Sequence, residues 1–301
     1  MKGKTCLITG ASAGIGLTTA LGLAKLGATI IIASRDHQRG LKAREFIKEQ
    51  TNNVKVEYLP VDLASFSSIH QMAENINSRY GKLDVLINNA GIFTSEKRLS
   101  EDGYELTFAV NHLAPFLLTN LLLESLFNAR TARIINLVSC FHFLARIDIN
   151  DLNFQRRNYN GLNAYNCSKL ANVLFTYYLA GMLSKTSVTV NCSDPWGTNT
   201  GIVDRANFIC RLLWNVQKPF LLTATKGART SIYLATSDIV SGINGNYFRH
   251  CRQYNSSKAS YDNEISLILW KECEKMTNIS YNKTITSSQK LKDLAILNDI
   301  L

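Results

Sequence analysis

Seven short runs of apolar, largely β-branched residues punctuate the chain, at 5–9, 28–33, 54–61, 83–88, 133–139, 188–192 and 245–248. Each is too short for a stable helix and reads as a strand. Between them lie longer stretches whose apolar positions recur every three to four residues, at 14–26, 36–50, 65–80, 99–127, 162–184 and 224–236, with a last one at 263–276. These read as helices. The alternation predicts one α/β domain over 1–276, built on a doubly wound parallel sheet of about seven strands with helices on both faces. Beyond it, 277–301 is polar with weak periodicity and reads as a loosely held tail.

Two stretches break the pattern. In 99–127 a polar residue, Asn111, stands inside the apolar run Phe108-Ala-Val-Asn-His-Leu-Ala, and Pro115 follows. A buried amide there needs partners, and the proline predicts a kink with a freed carbonyl able to hold a water. The second is 201–222, where Phe208, Leu212, Leu213, Trp214, Phe220 and Leu221 crowd together around Arg211, Lys218 and Pro219. We expect a substrate lid over about 196–222, with 208–222 also suited to peripheral membrane contact; internal packing or a homodimer contact is the alternative.

The first strand runs straight into Gly10-Ala-Ser-Ala-Gly14-Ile-Gly16 and then a helix. Strand, glycine turn and helix form the first unit of a Rossmann-type nucleotide-binding sheet. Gly10 permits the tight turn, Gly14 lets backbone approach a pyrophosphate, and Gly16 lets helix and strand pack closely. The free N–H groups of the helix start then face phosphate. The second strand ends in Ser34-Arg35-Asp36. Arginine there suits a ribose 2′-phosphate, so NADP is expected rather than NAD; a surface charge beside Asp36 is the plainer alternative. Asp62 at the third strand's end can receive an adenine amino group, with the N–H of the neighbouring Leu63 facing the ring. Asn88-Asn89-Ala90-Gly91 closes the fourth strand with residues small enough for a flat cofactor, or simply with turn chemistry.

Composition narrows the field. At 301 residues, with 46% hydrophobic and 19% charged residues, the chain is globular, and it has no apolar run long enough to span a membrane. The start, Met1-Lys-Gly-Lys-Thr, does not read as a secretory signal. The seven cysteines are scattered, which predicts free thiols in a reducing compartment and no metal site. The net charge of +10 is spread along the chain rather than gathered into a basic block, so nucleic acid is not an expected partner.

The candidate chemistry centres on Tyr165-Asn-Cys-Ser-Lys169. Tyrosine and lysine four apart on a helix share one face, and an ammonium nearby draws a phenol's pKa down toward neutrality. Alone, the spacing arises often by chance and describes a solvated helix face equally well. Its company is what matters. Thr9-Gly10-x-x-x-Gly14-Ile-Gly16, Asp62-Leu63, Asn88-Asn-Ala-Gly91, Asn111, Ser139 and Tyr165-x-x-x-Lys169 occur in the order of the short-chain dehydrogenase/reductase family, which the chain resembles over about 3–250. Ser34-Arg35-Asp36, Asn111-His112-Leu113 and Asn163-Ala-Tyr-x-x-Ser-Lys-Leu-Ala-Asn172 resemble its retinol dehydrogenase branch.

The resemblance implies an NADP(H)-dependent oxidoreductase interconverting a lipophilic alcohol and its carbonyl. It implies Tyr165 as proton donor or acceptor, Lys169 lowering its pKa and holding the nicotinamide ribose, Ser139 steadying the oxyanion, and Asn111 holding a relay water. Cofactor contacts fall on Gly10, Ser12, Gly14, Ile15, Gly16, Arg35, Asp62, Leu63, Asn89, Ala90, Gly91, Pro195 and Thr198. The expected setting is cytoplasmic, with peripheral contact at the endoplasmic reticulum membrane; the N-terminal anchor common in the branch is not seen. Pro195-Trp196-Gly197 stands where the family carries Pro-Gly. That departure motivates a rival reading, a cofactor-binding scaffold whose chemistry has lapsed; a carbonyl or steroid reductase of the same fold is another.

Overall fold

The structure, a computed structural model, describes residues 1–196 and 223–280. The strands are β1 (Thr5–Thr9), β2 (Thr29–Ser34), β3 (Val56–Pro60), β4 (Val85–Asn88), β5 (Ala132–Leu137), β6 (Val188–Asp194), β7 (Asn246–Arg249) and β8 (Arg252–Tyr254). They form one sheet in the order β3-β2-β1-β4-β5-β6-β7-β8. The first seven strands pair in parallel and β8 runs antiparallel to β7. The order reverses between β1 and β4, and at such a switch point the carboxyl ends of the strands open a crevice.

The sheet is buried on both faces, as the continuous apolar runs demand. Residues alternate: Leu7, Ile31, Leu86, Ile134 and Val190 face one helical layer, while Ile8, Ile30, Ile32, Val85 and Ile135 face the other. One layer holds α1 (Gly14–Lys25), α2 (His37–Thr51) and, after 223, α8 (Ala224–Thr236). The other holds α3 (Phe66–Tyr80), α4 (Leu106–Phe108), α5 (Ala114–Leu121), α6 (Leu123–Phe127), α7 (Gly161–Met182) and α9 (Asn263–Thr277). Asp36 caps α2, its carboxylate accepting from the Arg39 N–H at 2.9 Å. Trp270 on α9 packs its ring 4.8 Å from Phe116 and 5.1 Å from Tyr178.

Two features differ from expectation. The eighth strand, Arg252–Tyr254, lies at the exposed edge of the sheet and has no apolar alternation to betray it. It is reached by a two-residue turn, His250 and Cys251, both at positive φ without the usual glycine. The long helix expected over 99–127 begins only at Leu106. The buried Glu105 carboxylate caps it by accepting from the N–H groups of Thr107 (2.9 Å) and Phe108 (2.7 Å). A π-helical turn, Ala109–Leu113, then precedes α5. Pro115 is the reason the regular ladder fails there, since it has no N–H to give the Asn111 carbonyl. Asn88 ends β4, as the run over 83–88 predicts, and its amide donates to Asn136 Oδ1 across to β5 at 2.8 Å.

The π turn also buries His112, whose Nδ1 meets Asn172 Oδ1 at 2.9 Å and whose Nε2 meets the Cys273 thiol at 3.3 Å. Burial pulls its pKa down to about 4 from 6.5. Between those values the unfolded chain binds a proton that the fold excludes, so stability falls as pH drops through that window. We expect a loss on the order of 3 kcal/mol by the bottom of it. Denaturant unfolding of the wild type and of His112→Gln from neutral pH downward checks this, the variant showing the shallower acid slope.

Candidate active site

The loops that follow β1 and β4 are tied together by side chains. Thr9 Oγ1 accepts the N–H groups of Asn89 and Ala90, each at 3.1 Å. Asn89 Nδ2 returns to the carbonyls of Thr9 (2.7 Å) and Gly10 (3.2 Å). Close approach leaves no room for larger residues. A Cβ on Gly10 would lie 2.8 Å from Ala90 Cα, and one on Gly16 would lie 2.5 Å from Asn89 Nδ2 and 2.6 Å from the Gly10 carbonyl. Gly14 is different: it sits at φ +58° with open space above it.

These residues fit a dinucleotide phosphate. Ala13 at the start of α1 caps no N–H with its side chain, so the first turn, with Ile15 and Gly16, keeps donors for an anion. Ser12 is half-buried in the same loop. At the end of β2, Arg35 is exposed and its guanidinium reaches Asp62 at 3.8 Å, so two expected nucleotide contacts meet each other. Asp62 also accepts from the Ala64 N–H at 2.9 Å, and Leu63 packs against the core. The buried Ser34 Oγ beside Arg35 has no hydrogen-bond partner among the described residues. No group of acidic, histidine or cysteine side chains able to hold a metal occurs among the described residues.

Tyr165 and Lys169 lie one turn apart on α7. The Lys169 ammonium sits 5.6 Å from the centre of the Tyr165 ring and donates to the Leu137 carbonyl of β5 at 3.1 Å. Phe93 and Phe141 wall the tyrosine with ring centres 6.3 and 6.2 Å away. Ser139, just past β5, lies beside the phenol and accepts from the Phe141 N–H at 3.4 Å. Gly91 completes the arrangement, its missing Cβ falling 3.4 Å from Lys169 Nζ and 3.5 Å from Asn111 Oδ1. Thus Ser139, Tyr165, Lys169, Asn111 and the Asn89-Ala90-Gly91 loop converge at the carboxyl ends of β4 and β5. Thr198 lies outside the described residues, as does nearly all of the 196–222 segment and the chain from 281 onward.

Asn111 is more committed than a water-holder need be. Its side chain clamps Ile92, accepting from the N–H at 2.7 Å and donating to the carbonyl at 3.0 Å, and also donates to Ser168 Oγ at 3.0 Å. Its own carbonyl, released by Pro115, accepts from Asn172 Nδ2 at 2.7 Å. The electrostatics also depart from expectation. Burial, not Lys169, dominates Tyr165 and pushes the phenol above its ordinary value, with the Asp194 carboxylate adding to the rise and the Ser139 side chain opposing it. Burial draws the Lys169 ammonium down to about 8, with Asp194 resisting.

Trp196 stands at the end of the described segment after β6. It takes φ +55°, where the family's pattern supplies glycine, at a cost of roughly 1–2 kcal/mol. Asp194 Oδ1 helps hold that backbone by accepting the Trp196 N–H at 2.8 Å. The indole turns away to the Arg249 guanidinium, which lies 4.2 Å over it. Sequence reasoning missed Thr9, Ser168 and Asn172 as members of this network. Each stands inside or beside a quoted motif, but spacing alone shows no partner.

A switch-point crevice, an uncapped helix start behind a glycine turn and a tyrosine–lysine–serine cluster define a dinucleotide-binding oxidoreductase. The family model for short chain dehydrogenase matches residues 4–208. The chain belongs to the short-chain dehydrogenase/reductase family, in its retinol dehydrogenase branch, and is an oxidoreductase acting on CH–OH groups. It is 39% identical over 285 residues to retinol dehydrogenase 13 of Homo sapiens, covering 93% of this chain and 86% of that one. It is 37% identical to polyprenol dehydrogenase of Danio rerio, over 90% and 86% of the two chains. An uncharacterized protein from Mycobacterium paratuberculosis shares the fold with a TM-score of 0.77 at 31% identity, over 93% and 95% of the two chains. A short chain dehydrogenase from Escherichia coli, solved with NADPH, superposes with a TM-score of 0.67 at 24% identity, over 84% and 98%.

The close approaches predict a contrast between two glycines. Gly16→Ala drives a methyl into backbone and is expected to destabilise by about 1–3 kcal/mol, whereas Gly14→Ala loses only the left-handed preference, about 1–2 kcal/mol, and meets nothing. Thermal melts in the absence of nucleotide measure both.

Proposed function

We propose that this protein is an NADP(H)-dependent oxidoreductase that interconverts a lipophilic alcohol and its aldehyde or ketone, with Tyr165 as general acid and base. The observation that carries the reading is the convergence of the Tyr165 phenol, the Lys169 ammonium and Ser139 beside the Gly91 backbone. The names of the relatives, retinol and polyprenol dehydrogenases, support a long apolar alcohol as substrate. Phe93 and Phe141 around the tyrosine support it as well.

The glycine turn and the β4 loop would hold NADPH, which would supply the hydride. The chain's own residues do the rest. A phenol held above its ordinary pKa is fully protonated at neutral pH, so Tyr165 is ready to give a proton to a carbonyl oxygen that gains negative charge. Ser139 shares that oxygen as a hydrogen-bond donor. Lys169, protonated below about 8, would hold the nicotinamide ribose and steadies the phenolate that Tyr165 becomes as its proton leaves. Asn111 holds the Ile92 loop and Ser168 in register behind the lysine and serves the relay that resupplies it. Arg35 would hold the 2′-phosphate, and Asp62, which it meets at 3.8 Å, would receive the adenine amino group.

No described helix is long and apolar enough to cross a membrane. Peripheral attachment through 208–222, and a homodimer, stay part of the proposal and fall to liposome flotation and sedimentation.

Two variants test the core of this reading. Tyr165→Phe is expected to lower reduction of a lipophilic aldehyde by about 10²–10⁴-fold while NADPH binding, followed by fluorescence titration, is retained. Full activity in that variant rules out the mechanism. Arg35→Ala is expected to weaken NADPH by about tenfold or more and leave NADH unchanged. A wild type that prefers NADH removes the assignment of Arg35.

A further inference from the structure

Asp194 ends β6 at the corner where Ser139 and Lys169 meet. Its neighbour Ser193 pairs with Leu137 of β5, the residue whose carbonyl receives the Lys169 ammonium at 3.1 Å. The carboxylate is 1% exposed. One oxygen accepts from the Trp196 N–H at 2.8 Å and the other from the Tyr247 hydroxyl. Among the described residues it has no ion pair. Arg249, opposite it on β7, instead lays its guanidinium on the rings of Trp196 and Tyr254 at 4.2 and 4.3 Å.

Two neutral donors do not balance a charge taken out of water. Lys169 has the mirror-image problem: it is 4% exposed, and the hydrogen bond it donates goes to a neutral carbonyl. We infer that Asp194 is a positioning residue for the reaction, the buried counter-charge that keeps Lys169 cationic and Tyr165 protonated, itself held in place by Tyr247 and the Trp196 backbone. The inference rests on the functional reading above and adds to it the source of the site's charge state.

The groups that face Asp194 are Cys192 on β6, Tyr247 and Arg249 on β7, Cys140 and His142 after β5, and Tyr165 and Lys169 on α7. Burial already raises the two thiols and lowers the imidazole. In the neutral range Lys169 is therefore the group whose titration reports the Asp194 field. A negative neighbour favours ammonium over amine and phenol over phenolate, the two forms that carbonyl reduction consumes.

The test follows the Lys169 ammonium by heteronuclear NMR of isotope-labelled lysine in the cofactor-free protein, assigned by its loss in Lys169→Met. In Asp194→Asn the midpoint should fall by about one pH unit or more. The alkaline limb of kcat/KM for reduction should move the same way. Tyr247→Phe, which loosens the same corner but keeps the charge, should leave the midpoint in place. Asp194→Ser replaces the asparagine variant if that one does not fold. An unmoved midpoint in the uncharged variant overturns the inference, and so does an equal fall in Tyr247→Phe. A protein that titrates as expected yet reduces no carbonyl keeps the inference about Asp194 and sinks the functional reading.

Discussion

Buried amides fasten helix α7 to the ends of β4 and β5, and the site stands on that fastening. Asn88 reaches Asn136 and Thr119, and Asn136 reaches Thr176 on α7 at 2.9 Å. One turn nearer the site, Asn172 takes the Asn111 carbonyl and the His112 ring, while Ser168 takes the Asn111 side chain. In a low-dielectric interior these bonds are strong when made and costly when broken. They fix the rotation of α7 about its axis, and that rotation points Tyr165 and Lys169 at the switch-point crevice rather than at solvent or core. Pro115 belongs to the same device. By withholding an N–H it leaves a carbonyl for Asn172, and the chain takes up the slack as a π turn.

The second constraint is electrostatic. Tyr165 and Lys169 sit where water is scarce, so burial rather than their mutual contact sets their charge states. The phenol stands high and the ammonium comes down to about 8, which leaves both protonated at neutral pH. A site in that state is prepared to give protons, and this agrees with reduction of a carbonyl. The buried carboxylate at the end of β6 strengthens the same bias, and it also holds the Trp196 N–H.

Much of the fold is legible in the residues themselves. The β-branched runs, the glycine turn before α1 and the capping Asp36 each carry a local physical signature, and the strands and helices they predict lie within a few residues of those found. Tyr165, Lys169, Ser139 and Asn111 were legible only through their order along the chain, because the contacts that join them cross from one element to another. What stayed hidden lacks a local signature. β8 is three exposed polar residues after a turn without glycine. The break in 99–127 depends on a buried glutamate, Glu105, acting as a cap, and no spacing distinguishes that from a surface acid. Asp194 reads in sequence as a turn residue before proline; only the sheet register shows that it faces the lysine's corner.

The account's central claim is that Tyr165 delivers the proton while hydride leaves the nicotinamide. Stopped-flow mixing of the protein–NADPH complex with a long-chain lipophilic aldehyde, in water and in heavy water, addresses it most directly. The account predicts a single rapid turnover of the bound nicotinamide that slows in heavy water, with the slowing absent from whatever residual rate Tyr165→Phe retains. A turnover indifferent to the solvent isotope, or one equally sensitive without the tyrosine hydroxyl, would contradict it.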